Sequence, residues 1–271
     1  MRFLVGFLCI FLNLFASDAK LKVAVSIEPQ AFFVKKIGGD RVEVYVLVPK
    51  NKNPENYEPL VSQVKNLKET KLYFGMGLDF ETKWKERFLS INPQMDFVDL
   101  SHQHNKNFHN RHDSHIWLSV TLAYQQANEI YEYLIKEDRN NKDFYEQNLK
   151  DFLNEIRQLD ARIKNLFSQQ GVQKTFLVYH PAFEFFAEEY GLEELAIEDH
   201  HKEAKIKHMQ KINQVIKERK LKIVYKQPQF SSKQVELLAK EYHLQVSILD
   251  PFVYDWLANM WNIAEQIAYE K

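Results

Sequence analysis

The stretch DFYEQNLKDFLNEIRQLDARIKNLF, Asp143–Phe167, decides the architecture. It holds neither Gly nor Pro, and apolar side chains recur at Tyr145, Leu149, Phe152, Ile156, Leu159, Ile163 and Leu166, a 4-3-4-3-4-3 spacing. That period lines them along one face of an unbroken helix whose other faces are heavily charged. Gly171 follows as a fitting stop. Such a stripe serves either as the seam of a coiled-coil dimer or as a face buried within one chain. Strand-forming sequence on both sides favours the second use, a stiff spine between two α/β lobes.

Outward from the spine, short β-branched or aromatic runs alternate with helix-period segments. The expected strands are Leu21–Ile27, Val42–Val48, Lys71–Met76, Met95–Leu100, Thr175–Tyr179, Lys222–Lys226 and Leu244–Leu249. Between them Gln30–Gly38, Leu78–Leu89, Ser119–Lys136, Lys205–Arg219, Ser232–Tyr242 and Tyr254–Tyr269 read as helical. Alternation of this kind predicts an α/β fold of two lobes, each a mostly parallel sheet flanked by helices. The length, 271 residues, agrees with two units at about 150 residues each. The expected division is a leader over 1–19, an N-terminal lobe over 20–142 with a His-rich loop at 101–115, a linking helix over 143–168 and a C-terminal lobe over 169–271.

Composition removes several function classes. Lys and Arg number 36 against 37 Asp and Glu, so there is no basic excess with which to bind nucleic acid. With 7 Gly in the chain, neither a P-loop nor a G-x-G-x-x-G pattern occurs. The single cysteine is Cys9, within MRFLVGFLCIFLNLFASDAK. A basic start, an apolar run from Phe3 to Phe15 and the small residues Ser17 and Ala19 give that segment the form of a cleavable export signal ending at Ala19. The run is shorter than the roughly 18 residues of a spanning helix, and Cys9 lies in its middle instead of after it, as a lipoprotein would require. An exported chain starting at Lys20 has no thiolate, so any metal site must use His, Asp and Glu.

Half of the 10 histidines fall in SHQHNKNFHNRHDSH, at His102, His104, His109, His112 and His115. The stretch is polar and aperiodic, an exposed loop whose imidazoles suit auxiliary capture of Zn or a similar borderline metal. His115 stands apart, because Ile116-Trp117-Leu118 and a helix follow it directly and can hold it in one geometry. Ligands of open α/β sheets bind beyond the carboxyl ends of strands. Glu55 follows the second expected strand, His115 the fourth, His180 ends Thr175–Tyr179, and Asp250 ends Leu244–Leu249. Singly each has an ordinary use, as a capping His, an Asp-Pro turn or a loop carboxylate. Two precede the spine and two follow it, which would bring all four to a cleft between the lobes. Asp199-His200-His201 and His208 read as surface polar residues.

At these residues the chain resembles the substrate-binding proteins of bacterial zinc and manganese ABC transporters, the metal-receptor family that includes the ZnuA-type zinc-uptake proteins. Asn53-Pro54-Glu55-Asn56-Tyr57-Glu58-Pro59 is similar to the family's Pro-His-x-Tyr-Glu-Pro loop. His115-Ile116-Trp117-Leu118-Ser119 matches its His-x-Trp-Leu-Ser motif, preceded by a His-rich loop as in zinc-specific members. Tyr179-His180-Pro181-Ala182-Phe183 with Tyr190-Gly191-Leu192, Gln227-Pro228-Gln229-Phe230-Ser231 and Leu249-Asp250-Pro251 resemble three further family segments, in family order. The resemblance covers nearly the whole exported chain.

The resemblance implies two lobes joined by a long helix with the metal between them. It also implies a periplasmic location and delivery to a membrane permease with its cytoplasmic ATPase. His115, His180 and Asp250 become metal ligands by carry-over. Glu55 stands where the family usually has His, and Gln227 where it usually has Glu. A carboxylate at position 55 coordinates Zn at about 2.0–2.2 Å, or else falls short and leaves a water in the fourth position. Two imidazoles with two carboxylates form a harder set than three histidines, which raises tolerance for Mn²⁺, while the His-rich loop favours Zn²⁺. Zinc is the expected cargo and a monomer the expected state. Protonation of the imidazoles should weaken binding in acid. Rival classes are a periplasmic zinc hydrolase, for which no H-E-x-x-H helix exists, and a metal-storage or adhesin protein.

Overall fold

The computed structural model describes residues 19–101, 114–198, 206–230 and 233–270. The N-terminal half is built on strands β1 (Leu21–Val25), β2 (Val42–Val46), β3 (Leu72–Gly75) and β4 (Asp96–Asp99), paired in the order β2-β1-β3-β4. The C-terminal half repeats this with β5 (Thr175–Val178), β6 (Glu193–Ala196), β7 (Ile223–Lys226) and β8 (Gln245–Ile248), ordered β6-β5-β7-β8. Every pairing in both sheets is parallel. Helical crossovers supply the connections that parallel strands require: α1 (Glu28–Gly38), α2 (Val61–Lys65) and α3 (Asp79–Ile91) in the first half, α6 (Glu184–Tyr190), α7 (Ile206–Arg219) and α8 (Lys233–Tyr242) in the second, while α4 (Val120–Glu137) and α9 (Trp256–Tyr269) follow the last strand of each sheet. The α/β reading is correct, and β6, α2 and α6 are additions to it.

Between the sheets runs α5 (Lys142–Ser168), 27 residues long. All the stripe positions from Tyr145 to Leu166 are buried, joined by Leu153 and Phe167. Their partners lie within the chain: α5 packs on α1 and α4 from the first half and on α6 and α9 from the second. One apolar core therefore extends across both halves along the helix. A second, smaller core lies on the far face of the C-terminal sheet. Strand alternation makes the division, since Phe176 and Val178 enter the shared core while Leu177 faces α7 and α8.

The two halves are also fastened to each other directly. Trp256 meets Phe33 edge-on at 5.0 Å, and Phe33 meets Phe152 at 5.3 Å. Across the same seam Glu189 of α6 accepts from the backbone N–H groups of Val120 and Thr121, the unpaired donors at the head of α4.

Candidate metal centre

Glu55 lies in the long connection after β2. Asn53 Oδ1 accepts the Glu55 N–H at 2.9 Å, a local turn that sets the backbone. Gln63 of α2 ties down the rest of the loop. Its Oε1 accepts from the Tyr57 hydroxyl at 2.6 Å and the Leu60 N–H at 2.9 Å, and its Nε2 donates to the Leu47 carbonyl. The Glu55 side chain is 15% exposed.

His115 opens a 3-10 turn at Ile116–Leu118 and is buried. Trp117, fully buried, stands 5.1 Å from the imidazole ring, centroid to centroid. Its indole N–H donates to the Pro251 carbonyl at 2.8 Å, and the Trp256 indole N–H donates to the Trp117 carbonyl at 2.6 Å. The segment carrying His115 is thereby pinned to the loop carrying Asp250.

His180 follows β5 and is completely buried. Its backbone N–H donates to Gln227 Oε1 at 3.2 Å and its carbonyl accepts from Gln227 Nε2 at 2.9 Å. The Phe230 ring stacks on the imidazole at 3.9 Å and 16°. Nδ1 is 2.6 Å from Glu198 Oε2, and Nε2 is 3.0 Å from Glu55 Oε1. Burial alone pulls this imidazole's pKa down. Hydrogen bonds and charge from Glu198 and Glu55 outweigh it and hold the group up at about 9.

The donor atoms of Glu55, His115 and His180 all lie within 4.8 Å of one another. His115 Nε2 is 3.9 Å from the Glu55 Oε1 that is 3.0 Å from His180 Nε2. Donors placed tetrahedrally at about 2.0–2.1 Å from one zinc ion sit about 3.3 Å apart, a value that falls between the 3.0 and 3.9 Å of the two Glu55 pairs. A cleft of about 420 Å³ adjoins the cluster and is lined by Asn53, Asn56, Ser114, Glu198 and Phe230 among others. The β3–α3 turn at Gly77 and Leu78 also lines it. There Gly77 has φ +76° and a Cβ would lie 2.5 Å from Ser101 Oγ.

Three of the four strand-end residues thus come together, contributed by both halves. Asp250 stands beside the neighbouring small cavity with Lys52, Pro54 and Gln229. Its Oδ1 accepts from Gln229 Nε2 and from the Phe252 N–H, each at 2.9 Å. His102, His104, His109 and His112 lie outside the described residues, as do His200 and His201. His208 donates from Nε2 to the Ala196 carbonyl at 2.8 Å. Sequence reasoning did not single out Glu198. The available signal was its place, shortly after a short strand beside β5.

Comparison with known proteins gives a consistent result. The family model of the zinc-uptake complex component A, ZnuA, periplasmic, matches residues 23–269. A crystal structure of ZnuA superposes with a TM-score of 0.84 at 35% identity, covering 92% of this chain and 98% of that one. The high-affinity zinc uptake system protein ZnuA of Bacillus subtilis is 27% identical over 251 residues, 85% of this chain and 78% of that protein. The manganese ABC transporter substrate-binding lipoprotein PsaA of Streptococcus mitis is 32% identical over 190 residues, and the match spans 65% of this chain and 62% of that protein, under two thirds of its length. With its parallel sheets, spanning helix and His/Glu cluster between the halves, this chain belongs to the ZnuA family of periplasmic metal-binding components of ABC transporters.

Proposed function

We propose that the protein captures zinc in the periplasm and hands it to a membrane permease driven by a cytoplasmic ATPase. The observation that carries this reading is the convergence of Glu55, His115 and His180 from both halves on one point. Two imidazole nitrogens and a carboxylate oxygen form a borderline donor set of the kind zinc takes. Asp250, on the loop that Trp117 fastens, is the fourth ligand of the proposal; its Oδ1 is held by Gln229 and the Phe252 N–H outside the three-residue cluster and joins it when the ion is bound. A shell closed by four side chains leaves no position for a reacting water, so the reading is a carrier, not a hydrolase. It works as a monomer, exported by a leader over 1–19 and divided into lobes at the linking helix. No helix of the described residues is long and apolar enough to cross a membrane. His102, His104, His109 and His112 form the auxiliary capture loop of this scheme.

Manganese is the second reading. It is favoured by the oxygen donor at position 55 and by the manganese-named relative. Competitive Zn/Mn titration of the wild type beside Glu55→His and Glu55→Ala decides between them. The zinc proposal expects weaker zinc binding in Glu55→Ala, and in Glu55→His retained zinc with weaker manganese. Unchanged affinity and selectivity in both variants would remove Glu55 from the site.

A further inference from the structure

We propose that Glu198 is the positioning residue of the metal centre, fixing which nitrogen of His180 meets the ion. The inference rests on His180 being a ligand, as proposed above, and extends it to a residue that touches no metal.

The argument begins with strand register. Val178 of β5 pairs with Ala196 of β6. The pairing continues past the strands, since Ile197 N–H donates to the Val178 carbonyl and Glu198 N–H to the Tyr179 carbonyl, both at 2.9 Å. The two chains stay in step, so Glu198 comes level with His180. Side chains two positions apart share a sheet face, which puts both on the same side. On the other flank Val178 pairs with Tyr225, which makes Gln227 the matching position. There the Gln227 side chain stands in for a ladder strand and holds the His180 backbone at both its N–H and its carbonyl. The backbone is thus locked from β7 and the ring from β6.

A carboxylate oxygen only accepts, so Glu198 Oε2 at 2.6 Å from Nδ1 requires the hydrogen on Nδ1. Nε2 faces the Glu55 carboxylate at 3.0 Å, so in the metal-free protein it too carries a hydrogen. That hydrogen is the one a cation displaces, and Nε2 is then the nitrogen whose lone pair meets the ion while Glu198 keeps the hydrogen on Nδ1. Phe230 fixes the plane of the ring and Glu198 its direction within that plane. Outer partners of this kind set the tautomer and raise the basicity of a ligating imidazole, and their loss typically lowers metal affinity about 10- to 100-fold.

The test uses the full exported chain with zinc as the only added metal. Zinc is titrated against a competing chelator for the wild type, Glu198→Gln, Glu198→Ala and His180→Ala. ¹⁵N NMR of histidine-labelled, zinc-loaded protein reports the tautomer at His180, a signature that a purely structural contact would not move. The expected result is about 10- to 100-fold weaker zinc binding in Glu198→Ala, with the Nδ1–H signal of His180 lost or shifted. Glu198→Gln keeps the shape and an acceptor oxygen without the charge, and should bind zinc with intermediate affinity. It carries the test if the alanine variant does not fold. Wild-type affinity and an unchanged His180 signal in the Glu198 variants, with zinc binding lost in His180→Ala, would overturn the role of Glu198 alone. Wild-type affinity in His180→Ala would overturn the ligand assignment and the positioning role together.

Discussion

The Trp117 indole donates to the Pro251 carbonyl at 2.8 Å across 134 positions of sequence. Trp117 is two residues after His115, and Pro251 is one after Asp250. This hydrogen bond, together with the one from the Trp256 indole to the Trp117 carbonyl, ties the segments that carry candidate ligands of opposite halves. Trp117→Phe keeps an aromatic ring and removes the donor, leaving a buried carbonyl unpaired at a cost of about 1–3 kcal/mol. Urea unfolding should show that loss, and zinc affinity should fall with it. Unchanged stability and affinity would mean that the lobes are held without this bond.

Glu81 gives a pH prediction away from the metal. It is buried at the head of α3, where its carboxylate accepts from Ser26 Oγ and from the N–H groups of Met76, Gly77 and Leu78. Burial pushes its pKa from 4.5 up to about 7, against the pull of Ser26 and the backbone donors, and Asp99 adds to the rise. The folded value exceeds the unfolded one. This group's contribution to stability is therefore complete below about pH 4.5 and is lost as pH rises through about 7. Unfolding of the metal-free wild type and Glu81→Gln should diverge between pH 5 and 8, the wild type losing roughly 3 kcal/mol relative to the variant. Parallel curves would show that Glu81 stays ionised throughout.

Removal of Gln103–Arg111 separates capture from holding. The proposed centre draws its ligands from the cluster of Glu55, His115 and His180, with Asp250 as the proposed fourth, and needs none from that segment. Calorimetry of the deletion protein should find one tight zinc site intact and fewer weak ones. Loss of the tight site would transfer it to the histidine-rich stretch.

What could be read from sequence follows from how each feature is encoded. The Asp143–Phe167 stripe has many independent positions in phase, and all became core. Strand-end placement located Glu55, His115 and His180 because connections at that edge of an α/β sheet must pass the cleft. The strand β6, Glu-Glu-Leu-Ala, escaped because it has four residues, two of them charged and none β-branched. Missing it hid Glu198, whose relation to His180 is one of register between strands and leaves no pattern within either. The five-residue α2 was too short for helical periodicity, yet its Gln63 anchors the Glu55 loop. Asp250, expected at the same edge, lies outside the Glu55–His115–His180 cluster, because its hydrogen bonds to Gln229 and the Phe252 backbone depend on local turn geometry that sequence does not specify.

The most direct test of the central claim is zinc titration of His115→Ala and His180→Ala beside His104→Ala and the wild type. The account predicts that the first two lose more than the about 10- to 100-fold expected for an outer partner, while His104→Ala keeps wild-type affinity at the tight site. Equal losses in all three would contradict a centre built on Glu55, His115 and His180.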